Sequence, residues 1–454
     1  MPDTNPLIAL ADIIASGVRT LESAYSKQGV SFPSLDEPYR PEQGSLDNDA
    51  AVTAATHLIV AAAHQLIATV RQPFATLRDY ATGVEMTSSL GLITEVNVPD
   101  ALKDEQAGLH VDVIGKKVDV DSKKLARVLR YLATRHVFKE VAPDVFANNR
   151  VSSALVKSRS LEQLKADKLT QYDGASAAAT VGHMTDEALM SNTSLVEYIR
   201  DAPKSVETPF NLAFKTNATL WEWYEEPGNE WRGRRFTNAM AGGAERFPPM
   251  IITGGFDWES LKAGSVIVDV GGSVGAATLT LAKDFPHLKF IVQDLPKVIS
   301  ESAQKYWRAQ APEFLANKTV TLQAHNFFEP QPVRDASVYF MRSIIHDWPD
   351  AKCITILKQL RAAAAPSSRL VLFDTIMPYA CPHPSGPPPP PFPLLANLGL
   401  AVGGFVTAMD LQMMILINGE ERTLSQFVEL GNATGWKLES IKPGMLAALV
   451  FSVV

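Results

Sequence analysis

Residues 266–275 read Val-Ile-Val-Asp-Val-Gly-Gly-Ser-Val-Gly, and this stretch decides the fold. A β-branched run ends in an acidic residue, a glycine turn follows, and a helical pattern starts near Ala276. That order predicts a strand, a tight loop and a helix N-terminus. Gly271, Gly272 and Gly275 carry no Cβ, so a ligand can approach bare backbone there. Asp269 falls at the strand end, where a buried carboxylate needs a partner. A loop built for pyrophosphate offers backbone N–H groups and the positive end of a helix. A carboxylate beside the loop suits a cationic ligand better. The glycine spacing also departs from G-x-G-x-x-G, which disfavours a dinucleotide.

A second apolar run, Phe290-Ile291-Val292-Gln293-Asp294, ends in a carboxylate 25 positions after Asp269. In a doubly wound sheet that is the end of the second strand, where an acidic residue accepts both ribose hydroxyls. From Val266 onward strands and helices alternate. The strands are expected at Val266–Val270, Lys289–Gln293, Val320–Gln323, Ser337–Met341, Arg369–Asp374 and Ala447–Val453. Helices fall between them, among them Ala351–Ala365 and Leu424–Thr434. This pattern predicts an open α/β sheet that binds ligands at its strand C-ends. A ribose site beside a cation site fits S-adenosylmethionine, a nucleoside with a sulfonium and an ammonium.

The chain has 454 residues, enough for two or three domains. Its net charge of −7 does not point to nucleic acid. Cys353 and Cys381 are the only cysteines. They form neither a disulfide framework nor a zinc ribbon, and no metal is expected. A reducing, cytoplasmic setting follows from that cysteine usage. Met1–Gly17 lacks a basic n-region and a long apolar core, so no signal peptide is expected. Leu58–Val70 is apolar but short for a bilayer, and reads as a buried or subunit-facing helix.

Residues 1–29 follow helical spacing, with Leu7, Leu10, Ile13, Ile14, Val18 and Leu21 on one face. Ser31–Asn48 reads as a linker, Ala50–Arg71 as an apolar helix and Ser89–Leu102 as a further helical stretch. His110–Ile114 reads as a short helix, and Asp121 as the cap of a longer one bearing Leu125, Val128, Leu129 and Leu132. Val137–Val141 and Asp144–Arg150 then read as a hairpin about Pro143. Two helices and a hairpin make a winged helix, a fold that often binds DNA. Its second helix carries Lys123, Lys124, Arg127, Arg130 and Arg135. In an acidic chain these read as a solvated face. Residues 160–245 are helical and aromatic, suited to a core or to the wall of a flat apolar ligand site. Pro382, Pro384 and the Pro387–Pro391 run cannot pair as a strand and read as an inserted surface loop without a chemical role.

The chemistry centres on Arg342-Ser343-Ile344-Ile345-His346-Asp347-Trp348, which follows the fourth strand. His346 therefore lies on the same sheet edge as the glycine loop. Its unperturbed pKa of about 6.5 suits a general base. Asp374 ends the next strand, and Glu421 sits in Gly419-Glu420-Glu421-Arg422-Thr423 before a helix. A carboxylate on one ring nitrogen fixes the tautomer and frees the other nitrogen to take a proton.

These motifs resemble those of the S-adenosylmethionine-dependent O-methyltransferases of the plant caffeic acid type, and most of all their fungal relatives acting on phenolic polyketides. The resemblance rests on Val268-Asp269-Val270-Gly271-Gly272, Gln293-Asp294-Leu295-Pro296, His346-Asp347-Trp348 and Glu421-Arg422-Thr423. It is strong from residue 266 and weaker before it. It implies an α/β fold: a Rossmann-like class I methyltransferase domain with a mainly helical N-terminal winged-helix dimerisation domain. It further implies residues 1–155 as that dimerisation domain, 156–245 as a helical connector contributing substrate-pocket walls, and 246–454 as the cofactor-binding domain. The implied catalytic base is His346, flanked by Asp374 and Glu421. Asp269, Gly271, Gly272, Asp294, Leu295, Asn326, Phe327 and Arg342 would hold the cofactor. Phe236, Met240, Asp347, Met413, Met414 and Asn418 would meet a small aromatic hydroxyl-bearing acceptor. The homodimer implied by the family binds neither DNA nor membrane. Ser273, Asn326 and Arg342 stand where the family usually has Gly, Asp and Lys. Three other functions compete. A nicotinamide dehydrogenase needs the missing glycine spacing. A winged-helix regulator with a degenerate enzyme domain has no use for His346, Asp374 and Glu421 together. A methyltransferase acting on nitrogen, carbon or a carboxyl group shares the cofactor site and has less need of a histidine base.

Overall fold

A computed structural model describes residues 5–40, 46, 49–203, 205–245, 249–384, 386–444 and 446–454. The chain divides into two compact units, Met1–Arg246 with Ala380–Phe405, and Phe247–Tyr379 with Val406–Val454. Residues 156–245, expected as a separate connector, thus pack in one unit with the N-terminal helices. The proline-rich insertion packs there too.

The first unit opens with α1 (Pro6–Lys27) and α2 (Ala50–Val70), capped by Asn5 and Asp49. They approach closely because Gly17 lacks a side chain: a Cβ there would lie 2.6 Å from Ile59 Cγ1. The linker expected over Ser31–Asn48 lies partly outside the described residues; its described part has no regular structure. The apolar stretch of α2 is longer than Leu58–Val70. All 21 residues of α2 are helical, which is long and apolar enough to cross a bilayer by length and composition. Its Val52, Ala55, Ala61 and Ala62 are buried. The helix α3 (Pro73–Ala81) follows.

The winged helix is present. β1 (Leu109–His110), β2 (Lys139–Ala142) and β3 (Val145–Ala147) form a sheet of order β1-β3-β2. His110 is therefore a strand residue that caps the Val111–Val118 helix, and not itself helical. Asp121 caps the Ser122–Thr134 helix by accepting from Lys124 N. Two of that helix's expected cations are neutralised locally: Arg130 pairs with Glu140 and Asp144, and Arg135 with Asp79.

The second unit is built on β4 (Val266–Val270), β5 (Lys289–Asp294), β6 (Val320–Ala324), β7 (Val338–Arg342), β8 (Arg369–Asp374), β9 (Trp436–Lys442) and β10 (Ala447–Val453). Their spatial order is β6-β5-β4-β7-β8-β10-β9. β10 runs antiparallel to both its neighbours. The strands bury alternate residues on opposite faces, as the period of two requires. In β8, Leu370 and Leu372 join one core with Tyr339, Met341, Ile345 and Cys353. Val371 and Phe373 join the other core with Phe340, Phe290 and Trp307. Burial on both faces explains the near-continuous apolar runs of these strands. The order reverses at β4, between β5 and β7. Its C-end is therefore the crevice where such sheets bind ligands.

Candidate active site

The glycine loop leaves β4 in a left-handed turn. Gly271, Ser273 and Gly275 have φ of 72°, 52° and 83°. A Cβ on Gly271 would lie 2.8 Å from Ile344 Cδ1, and one on Gly272 only 2.5 Å from Asp269 Cγ. Gly271 and Gly272 are therefore bare backbone in close contact, Gly272 pressed against the Asp269 carboxylate. Asp269 is buried and accepts from Thr278 Oγ1 at 2.6 Å. Burial raises its pKa to about 7 against the opposing pull of Thr278 and Arg342. Asp294 accepts backbone N–H bonds from Ser273 at 2.8 Å and Leu295 at 2.7 Å, which ties the ends of β4 and β5 together. Burial also raises its pKa. Asn326 accepts from Phe328 N, and Phe327 packs edge-on to Trp348. Two carboxylates beside a glycine-rich loop suit a nucleoside that carries positive charge. In this chain Asp294 would hold the ribose and Asp269 would face the charged end.

The second cluster lies on the same sheet edge. β7 ends at Arg342, and Ser343 turns the chain with φ of 52° while donating its N–H to Phe373 O. A 3-10 turn, Ile345–Asp347, then presents His346. The imidazole Nδ1 is 2.8 Å from Glu421 Oε1, and Nε2 is 3.4 Å from Asp347 Oδ1. Glu421 arrives on a loop whose first residue, Asn418, is also left-handed, with φ of 56°. Its N–H donates to Asp410 Oδ1 of the Gly403–Ile417 helix. Non-glycine residues with positive φ are uncommon, and they gather where surrounding structure enforces them. Ser273, Ser343 and Asn418 each precede or carry a loop of the site. Asp374 closes β8 with no exposure, and neither of its carboxylate oxygens finds a hydrogen-bond donor among the described residues. Burial lifts its pKa to about 7.

Burial opposes charge on His346. The carboxylates of Asp347, Glu421 and Asp374 outweigh it and push the imidazole pKa up to about 10. This differs from the ordinary imidazole value expected from the sequence. The cause is the crowding of three acids about one ring, two of which arrive from distant positions in the chain.

The second unit thus brings together His346, Asp347, Asp374 and Glu421, with Asp269, Gly271, Gly272, Asp294, Leu295, Asn326, Phe327 and Arg342 on the same strand ends. Met413 and Met414 lie half-buried in the Gly403–Ile417 helix, and Met413 O accepts from Gly419 N. Phe236 and Met240 belong to the other unit, on the Glu230–Glu245 helix. There Phe236 packs on His183, Trp221 and Tyr224, and Met240 is exposed. Arg422 was not read from the sequence as functional. It is buried beside the Ile345–Asp347 turn, and its local signal is its place in the Glu-Arg-Thr motif.

Residues 206–437 match the O-methyltransferase domain family, and residues 78–158 match the O-methyltransferase dimerisation domain. A 4-O-methyltransferase 1 of Phanerochaete chrysosporium is 36% identical over 452 residues, covering 96% of this chain and 95% of that protein. A sterigmatocystin 8-O-methyltransferase of Aspergillus parasiticus is 33% identical over 364 residues, 78% of this chain and 75% of its own. The fold is similar to that of OxaC solved with sinefungin and meleagrin, with a TM-score of 0.70, 22% identity and coverage of 98% and 99% of the two chains. The chain belongs to the S-adenosylmethionine-dependent O-methyltransferase family.

Proposed function

We propose that this enzyme methylates a hydroxyl of a small aromatic acceptor, phenolic and polyketide-like, with His346 as general base. The observation that carries this is the His346–Glu421 pair. With Nδ1–H donated to Glu421, Nε2 is left as the proton acceptor. A phenol has a pKa near 10 and is mostly protonated at neutral pH. The acids around His346 strengthen it as a base toward that proton once Nε2 is unprotonated. Bound S-adenosylmethionine supplies the electrophilic methyl group. The protein's part is to hold the hydroxyl in line and take its proton at Nε2, with roughly 10²–10⁴-fold from the base alone.

Glu421 keeps the ring oriented and stabilises the imidazolium that forms. Asp347 stands beside Nε2, where it can receive a further donor of the acceptor. Asp374 adds negative potential at the ring. Phe236, Met240, Met413, Met414 and Asn418 are assigned to the acceptor by resemblance. The aromatic acceptor class is supported by the names of relatives such as the sterigmatocystin enzyme. The match to a dimerisation domain supports a homodimer. A methyl-transfer screen over phenols, aryl amines and aryl carboxylic acids, with product regiochemistry by mass spectrometry and NMR, tests the function. Transfer to nitrogen or carboxyl acceptors without any phenol product would overturn it.

A further inference from the structure

The most fully bonded charged side chain of the second unit is Arg422, next to Glu421 and with no exposure. A guanidinium has five N–H donors in a rigid fork. All five are used. Nε and Nη2 donate to Asp350 Oδ1 at 3.0 and 2.8 Å. Nη1 donates to Ile345 O at 2.8 Å and to Glu420 O at 3.3 Å. Nη2 also donates to Trp348 O at 2.8 Å. The carbonyls of Ile345 and Trp348 bracket His346 in the 3-10 turn. The backbone of Arg422 reaches a third segment, since its carbonyl accepts from Met377 N at 2.8 Å, three residues beyond Asp374. One residue therefore touches the segments that carry His346, Glu421 and Asp374.

Among the described residues, the turn and the loop have one further direct backbone tie, Glu420 N to His346 O at 2.8 Å. We propose that Arg422 is the positioning residue of the catalytic turn, fixing the backbone of His346 so that its Nδ1 meets Glu421 and its Nε2 meets the acceptor. This inference rests on His346 being the base. Lysine is a poor substitute: it is a point charge with three donors, too few for the five bonds that the planar fork makes to three carbonyls and a carboxylate. Burying a cation costs least when every donor is satisfied, and here the fork also fixes geometry.

Arg422→Lys, Arg422→Met and His346→Gln are compared on two acceptors, an unsubstituted phenol that is protonated at pH 7 and a dinitrophenol, the nitrophenol whose hydroxyl is largely ionised there. Arg422→Lys is expected to lower kcat on the protonated phenol by about 10–100-fold, with the KM for S-adenosylmethionine changed less than about twofold. The loss on the ionised nitrophenol is expected to be much smaller, since no base is required. Wild-type kcat on the phenol, or equal loss on both acceptors, would overturn the inference. Should circular dichroism show that both Arg422 variants fail to fold, Asp350→Asn serves instead. It removes the charge that orients the fork and should show the same acceptor split; unchanged kcat on both would overturn the inference. His346→Gln separates the two levels. If it keeps wild-type rate on the phenol, the base assignment fails. If it is inactive while Arg422→Lys is fully active, only the role of Arg422 fails.

Discussion

Glu421 Oε1 and His346 Nδ1 are 2.8 Å apart although 75 positions separate the residues in sequence. That bond fixes which ring nitrogen can take a proton. His346→Gln should lower turnover on a protonated phenol at least about 100-fold. Calorimetric affinity for S-adenosylhomocysteine should stay near wild type, because in the proposed mechanism the ring serves the acceptor. Glu421→Gln should fall between the two, since the amide can still orient the ring but no longer stabilises its charged form.

Three acids hold the His346 pKa well above that of free imidazole, so the ring of the free enzyme is the imidazolium, protonated on both nitrogens, at neutral pH. A base must lose the Nε2 proton first. The kcat/KM for a phenol should therefore rise with pH between about 6.5 and about 10 rather than level off near 7. The acid limb of kcat should lie at lower pH, because bound sulfonium disfavours imidazolium. The same raised pKa contributes folding stability below the unfolded value of about 6.5 and loses it as pH climbs through about 10. Initial-rate pH profiles check the order of the two limbs.

Asp269 shows the opposite need. Burial makes it hold a proton up to about pH 7, whereas a cationic ligand requires the carboxylate. Binding of S-adenosylhomocysteine, whose ammonium remains, should release a proton below pH 7 and tighten as pH rises through 7. Calorimetry in buffers of different ionisation enthalpy measures the proton directly. Asp269→Asn should abolish that pH dependence.

Asp294 both ties the glycine loop to β5 and, by the proposed reading, accepts the ribose hydroxyls. Asp294→Ala should weaken cofactor binding by about 1.5–3 kcal/mol for each charge-assisted bond lost. Asp294→Asn should lose less, because Oδ1 can still accept from backbone. Calorimetry separates the two.

An apolar stripe runs along the end of α2 and through α3. Phe74 and Leu77 are 75% and 65% exposed, with Val70 and Tyr80 beside them. Such contiguous apolar surface marks an interface. Phe74→Glu with Leu77→Glu should shift the proposed dimer toward monomer in light scattering at micromolar concentration, with the far-ultraviolet circular dichroism preserved.

The catalytic half was largely legible in the sequence because its strands are buried on both faces. β8 and β10 fall at the bounds read from their apolar runs, Arg369–Asp374 and Ala447–Val453. β9 was not read. In Trp-Lys-Leu-Glu-Ser-Ile-Lys only Trp436 is buried, so this edge strand carries little apolar signal. The pairing of His346 with Glu421 was legible from motif chemistry, but the rise in its pKa was not, since that depends on how closely three acids converge. Arg422 escaped notice for a related reason. Its partners, Ile345 and Trp348, are backbone carbonyls 77 and 74 positions away, and no local pattern encodes them.

The packing of residues 380–405 into the first unit has a consequence for synthesis. Gln65 Nε2 of α2 donates to Pro393 O at 2.8 Å, and the Gly399–Ala401 turn also packs on α2. The first unit is thus completed by a segment made long after the rest of it. At roughly 5–20 residues per second, the interval from residue 246 to residue 405 lasts on the order of ten to thirty seconds. Throughout it, the face of α2 that will meet the proline segment is uncovered on the nascent chain. Chaperone binding should concentrate in that window, and a stop codon placed before residue 380 should yield a helical unit that aggregates instead of one that folds alone.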